Sequence, residues 1–364
     1  MYDRIMQIYK IVLSALLVTL TTTALLVAQI QQEQQIYVCN QGAATLSVID
    51  AVSFEVVDKI DLRDLGFSSN AKPHHTVAEP DGSFWYVTLI GENRVLKFNR
   101  DNELVGQTEM EVPGLISLYP TKDLLLVGRS MSAVNPPQSV GVIQRTDMKL
   151  LKEISTFFAR PHALAIKPAG DRAYIASLAE NQMLSFNPET EDNSLSTFGG
   201  KSHVYVDFAI SPDGEQMVVT GQVSGKLLFY DLQESGKPVL SDSVAVNAMP
   251  WHPVYSPDGK FVYFGNKGAH TVTVVDTESR KIKKVIEGRG LAQPHGTALS
   301  ADGKYLFVSN NNRKGTYESE KAKPDSDPPG TVTVINTETL TIEKIIEVDA
   351  YPTGIGTWAK SVKE

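Results

Sequence analysis

The chain has 364 residues, of which 42% are hydrophobic and 21% are charged, and it carries a formal net charge of -8. That composition is typical of a globular protein long enough for a large core or for more than one domain. The acidic balance argues against a nucleic-acid surface, because phosphate binding needs clustered lysine and arginine. The single cysteine, Cys39, cannot form a disulfide bond within the chain.

The first 28 residues differ in character from the rest. Arg4 and Lys10 precede an uncharged apolar run, Ile11–Ala28, and the polar spacer 29–35 follows it. A basic start, an apolar centre and a small residue at the end are typical of a secretory signal, and the run is nearly long enough to span a bilayer. We therefore expect 1–28 to be a signal peptide or a membrane anchor. The protein would then be exported to the periplasm or the extracellular space, with residues 11–28 as its only membrane contact if they are retained.

One pattern recurs along the remainder of the chain: a start that usually carries proline and histidine, then a tight turn, then an apolar strand. Pro294–Asn310 reads PHGTALSADGKYLFVSN, and Pro73–Thr88, Pro161–Ser177 and Pro250–Asn266 are variants of it. The turns are Pro-Asp-Gly or similar, in which proline presets φ and glycine accepts a positive φ. A repeat of roughly 45 residues with several short strands is typical of a β-propeller.

In chain order, three strands come first, at Ile36–Cys39, Leu46–Asp50 and Val56–Ile60, without an inner strand before them. Six four-stranded units follow, and Tyr351–Trp358 is a lone inner strand. The seven inner strands are predicted to begin, within two residues, at His75, Leu115, Ala163, Val206, His252, Gly296 and Thr353. Pairing the lone strand with the first three completes a seventh blade and leaves no exposed sheet edge. The sequence therefore predicts an all-β fold, a seven-bladed β-propeller of four-stranded antiparallel blades over residues 36–364.

The repeat also resembles a known family. The segments PHG, DGKYLFVSN and TVTVINTETLTIEKIIEV, with outer turns at Asp276–Ser279 (DTES) and Asn336–Thr339 (NTET), are similar to the YVTN-type β-propeller repeat. The resemblance covers nearly everything after Gln35 and implies the fold. It leaves the function open, because propellers host many activities.

Histidines gather at one end of the predicted channel, which the inner strands line. Aligned on the turns, His74, His162 and His295 share one register, and His75 and His252 share the next. Neutral imidazole is the commonest protein ligand for copper, zinc and iron. The candidate metal ligands are His74, His75, His162, His203, His252 and His295. The alternative is that each imidazole only hydrogen-bonds a neighbouring blade or an adjacent carboxylate.

The cluster resembles the propeller domain of nitrous oxide reductase, in which histidines that include a consecutive pair, like His74 and His75, hold a copper–sulfur cluster at the channel. This chain has fewer channel histidines and lacks the additional cysteine-containing copper domain. The resemblance therefore implies a simpler mononuclear site, with copper favoured over zinc or iron, and not nitrous oxide reduction.

Four further side chains, candidates for ligand binding, lie near the same mouth: Arg129, Arg160, Asn266 and Asn310. Arginine beside imidazoles suits a carboxylate or another anion. The irregular segments 62–72, 130–138 and 311–329 fall on this face too, and loops carry function more often than scaffold turns do.

Three classes of function stay open. The first is a protein that binds a metal ion or a small ligand at the mouth. The second is an enzyme, either a copper-dependent redox enzyme or a hydrolase resembling the 6-phosphogluconolactonase propellers. The third is an interaction scaffold on which the loop 311–329 contacts a protein partner.

Overall fold

The structure is a computed structural model and describes residues 34–131, 134–233, 235–319 and 327–358. The predicted signal or anchor at 1–28 lies outside these ranges. Within them all regular structure is β-strand, and no helix is long and apolar enough to cross a membrane.

Twenty-eight strands form seven separate four-stranded antiparallel sheets, the blades. The inner strands are β4 (Pro73–Ala78), β8 (Pro113–Leu118), β12 (Pro161–Ile166), β16 (Tyr205–Ile210), β20 (Pro250–Tyr255), β24 (Pro294–Leu299) and β28 (Pro352–Thr357). The second strands are β5 (Phe84–Leu89), β9 (Leu124–Arg129), β13 (Ala173–Ser177), β17 (Gln216–Gly221), β21 (Phe261–Asn266), β25 (Tyr305–Asn310) and β1 (Gln35–Asn40). The third strands are β6 (Arg94–Asn99), β10 (Ser139–Gln144), β14 (Gln182–Phe186), β18 (Lys226–Leu232), β22 (Thr271–Asp276), β26 (Pro329–Asn336) and β2 (Thr45–Asp50). The outer strands are β7 (Leu104–Glu109), β11 (Lys149–Ser155), β15 (Asn193–Thr197), β19 (Pro238–Ala245), β23 (Lys281–Ile286), β27 (Thr341–Ala350) and β3 (Val56–Asp61).

The ring is closed by the two ends of the chain. β28 pairs with β1, so blade 7 consists of β28, β1, β2 and β3, and β28 also packs against β4 of blade 1. Between these two blades the ring of Tyr37 stacks on that of Trp85 with centroids 4.2 Å apart, and Trp85 stacks in turn on Phe98. The predicted seven-bladed propeller and its mode of closure are confirmed.

Burial follows position within the blade. Second and third strands are buried almost continuously, because both faces of each sheet pack against neighbouring blades. Outer strands are mostly exposed or partly buried, and in β7 and β15 the two kinds of residue alternate. The scaffold therefore places its variable chemistry at strand ends, where the loops emerge.

The backbone enters every inner strand with the same conformation. The residue before it has a positive φ of 39° to 62° although it is never glycine, and we call these seven the lip positions: Lys72, Val112, Arg160, Val204, Met249, Gln293 and Tyr351. Each lip carbonyl accepts a backbone hydrogen bond of 2.8–3.1 Å from the residue that follows the second strand of its blade. We call those residues the collar positions: Gln41, Ile90, Ser130, Leu178, Gln222, Lys267 and Asn311.

The inner strands begin one or two residues earlier than predicted. Six of the seven start with proline, which lacks a backbone donor and fits the first residue of a strand. A register shift follows immediately, for example between Pro73 and His75 and between Trp251 and Val254. Such bulges re-aim side chains, and here they lie where the histidines are.

Candidate functional site

Five of the six predicted metal ligands meet in the channel. The ring centroid of His74 lies 6.4 Å from that of His162 and 6.3 Å from that of His295. His252 lies 4.9 Å from His295, and His75 lies 5.9 Å from His252. His74, His162, His252 and His295 are at most 5% exposed. Histidines that share a register on the aligned inner strands thus converge from four different blades.

Hydrogen bonds orient three of these rings. His162 Nδ1 is 2.8 Å from the carbonyl oxygen of Val206, and His252 Nδ1 is 2.7 Å from Oδ2 of Asp207. A carbonyl or carboxylate oxygen only accepts, so each of these Nδ1 atoms carries a proton and donates it. His74 has the same arrangement, with Nδ1 3.2 Å from Gln41 Oε1.

Four buried ring nitrogens of the cluster have no hydrogen-bond partner among the described residues. Nε2 of His74, His162 and His252 and Nδ1 of His295 all have this property. Burial lowers the pKa of His162 to about 4 and holds the pKa values of His74 and His295 well below the ordinary value. The imidazoles of His74, His162 and His295 are therefore neutral at physiological pH and offer lone pairs in a water-poor setting.

The remaining histidines are placed differently. Nδ1 of His75 accepts the backbone N–H of Ile116 at 3.4 Å, which puts the ring proton on Nε2. His203 does not join the cluster, because its ring stacks on Tyr205 and its Nδ1 lies 2.8 Å from Ser224 Oγ. His270 accepts the backbone N–H of Gln293 and borders a separate surface groove.

The four residues predicted to bind a ligand do not meet in the channel. Arg129 is 1% exposed, and its guanidinium donates to the carbonyl of Glu111, to Ser139 and to Glu153 Oε2 at 2.6 Å. Arg160 is exposed and contributes a lip carbonyl.

The two predicted asparagines have structural partners. Asn266 donates to Thr271 and Thr273 of the third strand, and Asn310 donates in the same way to Thr333. Asn40 repeats the arrangement in blade 7, with Thr45 and Ser47 as acceptors. These amides tie second strands to third strands.

A funnel of about 710 Å³ opens above the histidine cluster, with His74 and His295 in its wall. Collar and lip side chains supply much of the rest, including Lys267 and Tyr351. Lys267 lies one position beyond Asn266, the last residue of its second strand, and is not among the candidates predicted from the sequence. The seven-fold backbone pattern is the signal that identifies it.

The described ranges contain no group of three or more His, Cys, Asp or Glu side chains already arranged to hold a metal ion. The donor chemistry nevertheless fits a metal that favours nitrogen ligands. Two imidazoles bound to one ion at metal–nitrogen distances of about 2.0–2.1 Å would have ring centroids about 5 Å apart. The His252–His295 pair is at that separation, and the two pairs made by His74 are about 1 Å wider.

No protein-family model matches the chain. It is 25% identical over 207 residues to YncE of Salmonella typhi, a protein that is itself uncharacterized, and the match covers 54% of each chain. The chain thus spans about half the length of the curated relatives it matches. It is a seven-bladed β-propeller with homology to YncE-type propeller proteins.

Solved structures agree on the fold over nearly the whole chain. A functionally unknown protein from Desulfotomaculum acetoxidans has a TM-score of 0.70 at 17% identity, covering 89% of this chain and 99% of that one. The periplasmic gluconolactonase PpgL of Pseudomonas aeruginosa has a TM-score of 0.68 at 17% identity, covering 90% and 99%. At these identities the similarity concerns architecture alone.

Proposed function

We propose that this protein binds a metal ion, with copper favoured, at the imidazole cluster of the channel. The observation that carries the proposal is the set of four buried ring nitrogens without hydrogen-bond partners, on His74, His162, His252 and His295. A buried polar atom left unpaired costs roughly 1–3 kcal/mol. A bound ion would satisfy several such atoms at once.

The surroundings of the rings support the same reading. Metal-ligating histidines usually donate their other ring N–H to a carboxylate, a backbone carbonyl or another fixed acceptor, which sets the tautomer and raises ligand basicity. Asp207, the carbonyl of Val206 and Gln41 are such acceptors here. Copper is favoured because a divalent ion on a nitrogen-rich site binds most tightly when it is Cu²⁺. When bound, the ion would supply a Lewis-acidic centre at the base of the funnel.

The test is metal content. Full-length protein purified without a histidine tag, stripped with EDTA and incubated with one equivalent of CuSO₄ should retain about one copper per chain after gel filtration. Its electron paramagnetic resonance spectrum should show splitting by ligand nitrogens.

Matched variants separate the cluster from histidines in general. His162→Ala with His252→Ala should abolish copper retention, whereas His203→Ala removes an imidazole outside the cluster and should leave it intact. Equal copper retention in both variants, or none in the unaltered protein, would contradict the proposal. Zinc retention without copper retention would replace the favoured metal.

A hydrolase is the second candidate, and the pair Asp207–His252 favours it. A carboxylate that orients an imidazole with a free Nε2 is also the arrangement of a general base. Hydrolysis of a sugar lactone that persists in EDTA and is lost in Asp207→Asn would support this candidate. If the unaltered protein hydrolyses the lactone no faster than the variant does, the hydrolase candidate is ruled out.

Export of the protein through the segment 1–28 stays a prediction.

A further inference from the structure

The funnel above the cluster has a charge opposite to that of the whole protein. Among the described residues, three cationic side chains line it, Lys72, Lys267 and Arg313, together with one carboxylate, Asp327. The chain as a whole carries a net charge of -8. A concave site of one sign within a protein of the other raises the local concentration of counter-ions. The funnel therefore selects anions.

Lys267 is the central cation of this wall. Its Nζ lies 4.0 Å from the ring centroid of Trp251 and 5.9 Å from that of Tyr351, and Arg313 Cζ lies 5.0 Å from Tyr351. Among the described residues, neither Lys267 nor Arg313 has a carboxylate within ion-pair distance. Within the described ranges, two cations thus flank one aromatic ring without an acidic partner, and an anion would balance their charge.

Two buried polar atoms of the same wall also lack partners. Nε1 of Trp251, in a residue 4% exposed, can only donate a hydrogen bond. Oδ1 of Asn311, in a residue 1% exposed, can only accept one, and its Nδ2 is fixed by the carbonyl of Pro352. A ligand that satisfies the wall therefore brings both an acceptor and a donor.

We propose that the funnel binds a small hydroxycarboxylate. Its carboxylate would lie between Lys267 and Arg313 and accept from the Trp251 N–H, and a hydroxyl would donate to Asn311 Oδ1. A bare inorganic oxyanion has no apolar skeleton to cover the faces of Trp251 and Tyr351, and a neutral polyol does not balance the two cations. The site uses no metal.

The experiment is isothermal titration calorimetry on the full-length protein in EDTA at pH 7, with gluconate as the probe. Glucose, hexanoate and inorganic phosphate are the comparison ligands, since each lacks one of the required features. One gluconate should bind per chain. Each comparison ligand should bind at least about tenfold more weakly, because glucose lacks the carboxylate, hexanoate lacks the hydroxyl that would donate to Asn311, and phosphate lacks the carbon skeleton that would cover the aromatic rings.

Single-residue variants test which side chains of the funnel bind gluconate. Lys267→Met and Arg313→Met should each weaken gluconate binding about tenfold or more. Trp251→Phe should weaken it less, because it removes the indole N–H but keeps an aromatic ring and leaves both cations in place. Lys260→Met is the matched control, since Lys260 is an exposed lysine in the turn between the inner and second strands of blade 5, paired with Asp258. It should bind gluconate like the unaltered protein.

Three outcomes would overturn the proposal: absence of gluconate binding at millimolar concentration, phosphate binding as tight as gluconate binding, or equal affinity in Arg313→Met and the unaltered protein. Arg313 is exposed, so its removal leaves the fold intact and this last comparison is informative even if Lys267→Met is unstable. Because EDTA is present throughout, failure here leaves the copper proposal standing, and loss of copper binding leaves this one standing.

Discussion

The buried histidines should make the protein lose stability on mild acidification. His162 is 1% exposed, and burial lowers its pKa from an ordinary value of about 6.5 to about 4. Below pH 6.5 the unfolded chain binds a proton at this ring while the folded chain does not, so stability falls as pH drops through the window from 6.5 to 4. For His162 alone the loss is about 2 kcal/mol between pH 7 and pH 5, and about 3 kcal/mol by pH 4.

Urea unfolding followed by tryptophan fluorescence at pH 7 and pH 5, in EDTA, measures this loss. In His162→Gln, whose amide can still donate to the carbonyl of Val206, the difference between the two pH values should shrink by about 2 kcal/mol. His203→Gln should shrink it less, because His203 is only half-buried. If the unfolding free energy falls equally between pH 7 and pH 5 in His162→Gln and in the unaltered protein, the argument that this ring stays neutral in the folded protein is refuted.

Three further predictions follow from particular contacts. Burial and the neighbouring Arg313 lower the pKa of Lys267 to about 8, so gluconate affinity should fall about tenfold between pH 7 and pH 9, and calorimetry should find no such fall in Lys267→Met. Gly354→Ala should destabilise the protein by roughly 1–3 kcal/mol in urea unfolding, because the added Cβ would lie 2.4 Å from a backbone oxygen of blade 1, whereas Gly199→Ala has open space and should be neutral. Arg129→Ala should lower the unfolding free energy by roughly 2–4 kcal/mol and leave gluconate affinity unchanged. If the folded variant binds gluconate more weakly, Arg129 does contribute to ligand binding.

Much of the fold could be predicted because it repeats. A turn such as Ser256–Gly259 reveals itself in sequence: Ser256 Oγ donates to Asp258 Oδ1 at 2.7 Å, and Gly259 has a φ of 73°. Strand length and order follow once several such turns are aligned. The convergence of His74, His162 and His295 was predictable for the same reason, since equal register in a ring means equal height along the channel.

The partners of the site residues could not be predicted, because they come from other strands of the same blade or from a neighbouring blade. Nothing near His252 in sequence shows that Asp207 fixes its tautomer, and nothing near Arg129 identifies Glu153 as its ion-pair partner. The exclusion of His203 from the cluster likewise depends on Tyr205 and Ser224, which turn its ring away. Periodicity gives the position of a residue, whereas its tautomer and its ion-pair partner depend on contacts between strands and between blades.

The lip and collar positions have a consequence for how such a protein can change. The conserved geometry resides in the backbone: a left-handed residue at each lip position, and one hydrogen bond from the collar amide to the lip carbonyl. Lysine, methionine, glutamine and tyrosine all occupy lip positions in this single chain. The same backbone therefore accepts different side chains around the funnel while the blades keep their shape, in the way that a fixed immunoglobulin framework carries different hypervariable loops. Relatives with the same propeller need not recognise the same ligand.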